Sequence, residues 1–197
     1  MNDFKDKVVL ITGSSMGIGK ALAEKLAARG AKLVLNSRGE TRLRETEQEF
    51  AAKGYEVLAL PGDVADLNDC QRLVETTVQH FGRIDLLINN AGVNMRGRVE
   101  DTLPEALRLP MDVNYLGALY MTRLALSQLK ANRGGVLFVS SVAGVHGLPL
   151  HAVYSSAKMA LRALAESLRA ELSDTGVYVG IAYVGLTENE QGKTIYN

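Results

Sequence analysis

Short runs rich in β-branched residues alternate with longer stretches of helical spacing along most of the chain, and this alternation limits the folds open to it. The short runs are KVVLIT (7–12), KLVLNS (32–37), YEVLAL (55–60), IDLLIN (84–89), GVLFVS (135–140) and VYVGIAYV (177–184). Between them lie GKALAEKLAARG, ETRLRETEQEFAAKG, LNDCQRLVETTVQHFG, a long stretch from about Glu105 to Lys130, and YSSAKMALRALAESLRAEL, each with apolar residues at helical intervals. A strand that is apolar nearly throughout is buried on both faces, and a helix after each strand supplies the cover. Gly30, Gly54, Gly82 and Gly176 stand where those helices are expected to stop, each a few residues before the next strand. The expected fold is an α/β, doubly wound parallel sheet, forming one domain over residues 1–197. Ligands of such sheets bind at the carboxyl ends of the strands.

Composition narrows the function. With 22 basic residues against 22 acidic ones, dispersed along the chain, no polyanion-binding surface is expected, and nucleic acid is excluded as a partner. No run approaches the roughly 18 apolar residues of a membrane span, and the start MNDFKDKVVL lacks the apolar core of a secretion signal. Cys70 is the only cysteine, so no internal disulfide forms. It lies in a helical stretch, where packing is its expected role. A cytoplasmic protein is expected.

The first strand runs into TGSSMGIG (12–19), which places glycines 13, 17 and 19 before a helix. Glycine costs about 1 kcal/mol relative to alanine inside a helix or strand, so such a cluster has a local reason. It serves either a plain strand-to-helix turn or the close approach of a phosphate to the uncapped N–H groups of the helix. The other carboxyl-end loops decide between these. After the second strand come Ser37 and Arg38. An acidic residue there would accept from a ribose 2′-hydroxyl, whereas Arg38 suits a 2′-phosphate, so the expected cofactor is NADP, with NAD as the alternative. After the third strand, Asp63 in GDV can accept from an adenine amino group or serve as a turn residue. After the fourth, NNAG (89–92) combines small residues with amides able to tie strands together or support a cofactor.

Chemistry is expected after the fifth strand. Tyr154 and Lys158 stand four apart on one helix face, where an ammonium favours the phenolate and brings the tyrosine toward the working range of a general acid or base. Ser141 ends the preceding strand at the same edge of the sheet, so its hydroxyl can donate to a substrate carbonyl oxygen within reach of Tyr154. A serine nucleophile is disfavoured, because the G-x-S-x-G elbow is missing and no histidine stands as an evident base.

In sequence order, TGSSMGIG, NNAG, Asn114 in MDVNYLGAL, Ser141, and Tyr154 with Lys158 resemble the short-chain dehydrogenase/reductase family over essentially the whole chain. The spacing of the glycines resembles its main branch rather than the extended epimerase and dehydratase branch. The resemblance implies a Rossmann-type fold, a nicotinamide cofactor and hydride exchange with a small-molecule carbonyl or alcohol. It implies that Tyr154 is the proton donor or acceptor and that Ser141 orients the substrate oxygen. Lys158 would hold the nicotinamide ribose and lower the tyrosine pKa, and Asn114 would keep a water in the proton relay. Thr12, Gly13, Ser15, Met16, Gly17, Ile18 and Gly19 would form the phosphate turn. Asp63 and Val64 would meet adenine, with Asn90, Ala91 and Gly92 beside the adenosine ribose. Gly185 would lie where the backbone meets the nicotinamide carboxamide, and Thr187 would reach that carboxamide or a phosphate.

Two features depart from the family. YVGLTEN carries Val184 where the family has proline, which leaves that loop's φ less constrained. The chain also ends at GKTIYN, where family members continue into a helical lid and a seventh strand; a piece of a longer protein is the expected explanation, a shortened form the alternative. The substrate pocket is expected to draw on Met95, His146, Leu148, Pro149, His151 and Leu186, and to be largely apolar, as for a lipid, steroid or ketosphingoid-like compound. Two histidines five apart without cysteine or carboxylate neighbours do not form a zinc site. Two function classes compete: an oxidoreductase, favoured by the intact Ser141, Tyr154, Lys158 and Asn114, and a dinucleotide-binding sensor without turnover. A homodimer or homotetramer is expected, formed through Leu116, Leu119, Tyr120 and Leu124 on one helix and Met159, Ala163, Ser167 and Ala170 on another.

Overall fold

The computed structural model describes residues 4–185, 187, 195 and 196. Six strands form a parallel sheet in the order β3-β2-β1-β4-β6-β7. They are β1 (Val8–Ile11), β2 (Lys32–Ser37), β3 (Val57–Pro61), β4 (Leu86–Asn89), β6 (Gly135–Ser141) and β7 (Tyr178–Val184). The helices are α1 (Gly17–Ala27), α2 (Glu40–Ala52), α3 (Leu67–Phe81), α4 (Pro104–Met111), α5 (Gly117–Ala131) and α6 (Ala152–Glu171). The sheet is doubly wound and of the Rossmann type, as the alternating pattern predicts.

Alternate residues of each central strand enter opposite cores, which is why the strands are apolar throughout. Val8 and Leu10 of β1, with Leu87 and Phe138, pack against α3, α5 and α6 through Leu73, Met121 and Leu161. Val9 and Ile11, with Leu33, Leu35 and Ile88, pack against α1 and α2 through Ala23, Leu43 and Phe50. The predicted helix stops hold: Gly30, Gly54, Gly82 and Gly176 have φ of 89°, 80°, 77° and 75°. At the other end of α3, Asp66 caps the helix by accepting from Asn68 N at 2.7 Å. No helix among the described residues is long and apolar enough to cross a membrane.

Two local features differ from the expectation. The stretch from Glu105 to Lys130 is not one regular helix, because a π-helical turn (Asp112–Leu116) separates α4 from α5. Pro110 lacks an N–H to donate back along α4, and Gly117 packs so closely on the loop after β3 that a Cβ there would lie 2.8 Å from Val64 Cγ2. Moreover, β5 (Asn94–Met95) pairs in parallel with β8 (Ile195–Tyr196), a short ladder that no alternating pattern announces.

Asp85, just before β4, fastens the two central strands at their amino ends. Its buried carboxylate accepts from Val8 N at 3.0 Å, Lys7 Nζ at 3.1 Å and Arg83 Nε at 2.8 Å. Burial pushes the carboxyl up, but Arg83, the Val8 amide and Lys7 outweigh it and hold the group below the usual carboxylate range. Asp85→Asn is expected to cost about 2 kcal/mol near neutral pH, a moderate figure because Lys7 and Arg83 remain near half exposed. Since the folded carboxyl titrates below the unfolded value of about 3.9, the wild-type advantage is complete above that value and fades as pH falls through the folded one. Denaturant unfolding of both proteins at about pH 7 and about pH 3 checks this: the gap should narrow in acid.

Candidate active site

At the carboxyl ends of the strands, between β1 and β4, a cleft of about 880 Å³ opens where the chain turns to opposite faces of the sheet. Its floor is the glycine turn. Gly13 and Gly17 have φ of 63° and 56°, and a Cβ on Gly13 would lie 2.7 Å from Ala91 Cα. A Cβ on Gly19 would collide with the Gly13 carbonyl and the Asn90 amide. The loop after β4 is fastened to this turn: Asn90 Nδ2 donates to Thr12 O at 3.0 Å and Gly13 O at 2.8 Å, while Thr12 Oγ1 accepts from Asn90 N at 3.1 Å and Ala91 N at 3.0 Å. The first residue of α1 follows Met16, which gives no side-chain cap, and the first turn holds no acidic residue. The helix N-terminus thus presents its amides and positive dipole end to the cleft, as a pyrophosphate requires.

Ser15, Met16, Gly17, Ile18, Ser37, Arg38, Asp63, Val64, Asn90, Ala91, Gly92, Gly185 and Thr187 all border this cleft. Arg38 Nη1 stands 3.8 Å from Asp63 Oδ2, and the Ser37 hydroxyl donates to Gly39 O at 3.1 Å. Arg42 also borders the cleft, with Nη1 3.1 Å from Met16 Sδ. The sequence reading missed it; it lies in the first turn of α2, which begins just after Arg38.

Ser141, Tyr154 and Lys158 meet at the other end. Ser141 closes β6 and its Oγ accepts from Ala143 N at 3.2 Å, capping the short 3₁₀ turn Val142–Gly144. Ser140 Oγ donates to Lys158 O at 3.1 Å, which draws α6 against the end of β6. Gly144 is required there, because a Cβ would run into Ser140 Oγ and the Lys158 carbonyl. Lys158 is buried, with Nζ 2.9 Å from Val139 O and 5.9 Å from the centre of the Tyr154 ring. Burial pushes the Tyr154 phenol above its ordinary value, and a hydrogen bond with Ser141 pulls the other way. This corrects the expected lowering by Lys158: here desolvation prevails, and the ammonium is directed to the Val139 carbonyl.

Asn114 lies on the π turn, fully buried. Its Oδ1 accepts from Val93 N at 2.9 Å and its Nδ2 donates to Val93 O at 2.9 Å. The side chain therefore clamps the loop after β4, and a Cβ on Gly92 would sit 2.8 Å from Asn114 Oδ1 and 3.5 Å from Lys158 Nζ. Leu148, His151 and Val184 border the substrate end, and so do Asn94 and Val142, which the sequence reading did not single out. Asn94 Oδ1 is buried without a hydrogen-bond partner among the described residues. Met95 is instead buried in the protein interior, and His146 and Pro149 are exposed outside the cleft wall. Leu186 lies outside the described residues.

The sequence pattern of the short chain dehydrogenase family matches residues 7–196. An uncharacterized oxidoreductase of Thermotoga maritima is 41% identical over 189 residues, spanning 95% of this chain and 74% of that protein. The 11-beta-hydroxysteroid dehydrogenase A of Arachis hypogaea is 41% identical over 189 residues, spanning 93% of this chain but 53% of the plant protein. Among solved structures, a short chain dehydrogenase/reductase from Burkholderia phymatum in complex with NAD matches with a TM-score of 0.92 at 30% identity, over 96% of this chain and 69% of that one. A glycine cradle at the switch point of a doubly wound sheet is the architecture of nucleotide-binding oxidoreductases. This chain belongs to the short chain dehydrogenase family, oxidoreductases acting on CH–OH groups.

Gly13→Ala tests the cradle. It is expected to destabilise the protein by about 1–2 kcal/mol through the left-handed backbone alone, more with the Ala91 contact, and to abolish dinucleotide binding. Thermal unfolding and titration of NADPH fluorescence measure the two effects.

Proposed function

We propose that the protein is an NADP(H)-dependent oxidoreductase that interconverts a largely apolar carbonyl compound and its alcohol. The observation that carries this reading is the convergence of Ser141, Tyr154 and Lys158 on one end of the cleft whose other end is the glycine cradle. NADP(H), when bound, supplies or accepts the hydride. Gly13, Gly17 and Gly19 admit the pyrophosphate, and Arg38 and Arg42 together meet the ribose 2′-phosphate, where charge-assisted bonds favour NADP over NAD. Ser141 holds the carbonyl oxygen by donating its hydroxyl. Tyr154 transfers its phenolic proton to that oxygen as charge develops there, and Lys158 holds ribose hydroxyls. Asn114 acts through Val93, fixing the loop that walls the nicotinamide region, and its turn supports the proton relay. The plant relative's name, which specifies a hydroxysteroid, agrees with the apolar wall of Val142, Leu148 and Val184. A cytoplasmic setting is part of the same reading, supported by Cys70 being the only cysteine.

Steady-state kinetics on a carbonyl panel test the reading. Tyr154→Phe is expected to keep NADPH binding and lose about 10²–10⁴ in turnover. Because the phenol sits above its ordinary value, it is protonated at neutral pH: reduction should stay level there, while alcohol oxidation climbs about tenfold per pH unit. Arg38→Ala with Arg42→Ala should weaken NADPH by about 10–100-fold and leave NADH unchanged. Binding without turnover across the panel would favour the sensor.

The protein is further proposed to assemble through α5 and α6. Met159, Ala163, Ser167 and Ala170 are exposed on one face of α6, and Leu116 and Leu119 are half-exposed beside α5. Sedimentation at micromolar concentration should give at least twice the chain mass, and Met159→Glu with Ala163→Glu should return it to a monomer.

A further inference from the structure

The substrate end of the cleft is walled by Asn94, Val142, Leu148, His151 and Val184 around the Ser141 and Tyr154 hydroxyls. Two acceptors in that wall have no partner among the described residues, the buried Asn94 Oδ1 and, beside the Tyr154 ring, His151 Nε2. His151 stands three residues before Tyr154 at the start of α6, so the two rings share a face; their centres lie 6.2 Å apart at 64°. A tight turn delivers the ring. His151 N donates to Leu148 O at 3.1 Å, Pro149 follows Leu148, and Leu150 takes φ of 65°, a value that favours glycine at the third position of a type II turn. The turn is held from outside, since Gly97 N donates to Leu150 O at 2.8 Å and Leu148 N to Ser155 Oγ at 3.3 Å.

His151 Nδ1 stands 2.9 Å from Pro149 O. A carbonyl can only accept, so Nδ1 carries the hydrogen, and in the neutral ring Nε2 is a bare acceptor. Nε2 makes no hydrogen bond among the described residues. Asp63 is the one carboxylate among the described residues lining the cleft, and it belongs to the adenosine corner. The substrate end thus offers an ammonium group no counter-charge. A neutral hydroxyl is the donor that fits.

We infer that His151 selects carbonyl substrates bearing a hydroxyl one or two carbons from the reacting carbonyl, by accepting that hydroxyl's hydrogen bond at Nε2. The inference rests on the reading of the cleft as a carbonyl-reducing site and specifies its substrate: a hydroxy ketone with an apolar body. Selection follows because an acceptor fixed in a partly desolvated wall loses its hydrogen bond to water when an unhydroxylated ketone covers it, and regains one only from a donor.

Matched ligands test this. Acetophenone, 2-hydroxyacetophenone and 3-hydroxypropiophenone, with the methyl ethers of the latter two, are titrated onto the NADP-loaded protein by calorimetry and assayed for reduction. One hydroxy ketone is expected to bind about tenfold more tightly than both acetophenone and its own methyl ether. That preference should vanish in His151→Leu, or in His151→Met should the first variant not fold, and return in part in His151→Gln, whose amide oxygen accepts. The preference is a ratio within each variant, so a general loss of affinity does not mimic it. Equal binding of ketone and hydroxy ketone, a preference that survives in the apolar variants, or no binding of any of the five compounds overturns the inference. Preferential binding without reduction overturns the catalytic reading and leaves the selection by His151 standing.

Discussion

Where β1 and β4 hand the chain to opposite faces of the sheet, a crevice must open, and the Thr12–Asn90 clasp keeps it at one width. Four hydrogen bonds join the residues that follow the two strands. The fit is close enough that neither Gly13 nor Gly19 has room for a Cβ. Every later element is referred to this clasp. The loop it anchors runs through Gly92, which touches Asn114 and lies near Lys158, to Val93, whose N–H and carbonyl the Asn114 amide holds. A shift of the glycine turn would therefore reach the surroundings of Lys158 through the Thr12, Asn90 and Asn114 side chains, each held by hydrogen bonds to backbone groups.

Features fixed by local rules were legible in the sequence. Strand periodicity, the helix-ending glycines and the TGSSMGIG turn each follow from the residues that form them, and the structure places them within a few residues of expectation. The Ser141, Tyr154 and Lys158 cluster was legible because a parallel sheet brings the ends of its strands to one edge. Features set by competition between distant groups were not. The state of the Tyr154 phenol depends on burial against the Ser141 hydrogen bond, and Lys158 finds the Val139 carbonyl, a partner nineteen positions away. Met95 is expected in the substrate pocket, yet its strand turns it into the interior. His146 and His151 look alike in VHGLPLH, and only the turn at Leu150 separates the exposed one from the one beside Tyr154. Arg42 needed the helical phase of α2 before it could be set beside Arg38.

The cleft is divided electrostatically. Two guanidinium groups and an uncapped helix end occupy the adenosine side, while Lys158 is the sole cation near Tyr154 among the described residues lining it. An anionic cofactor is thus drawn to the end with the greater positive charge, and the rest of the cleft is left mainly to hydrogen bonds and apolar contact, which discriminate by shape rather than attract at long range.

The π turn at Asp112–Leu116 gives the chain an unequal tolerance to changes in length. A π turn holds one residue more than an α turn, and one residue corresponds to about 100° of helical rotation. Removing a single residue within it would leave α4 and α5 as helices joined by a regular α turn. It would also swing Asn114 about a quarter turn away from Val93, unfastening the loop beside Lys158. A deletion that improves the local helix would thus disable the site, whereas one in the exposed loop before α4 would spare it.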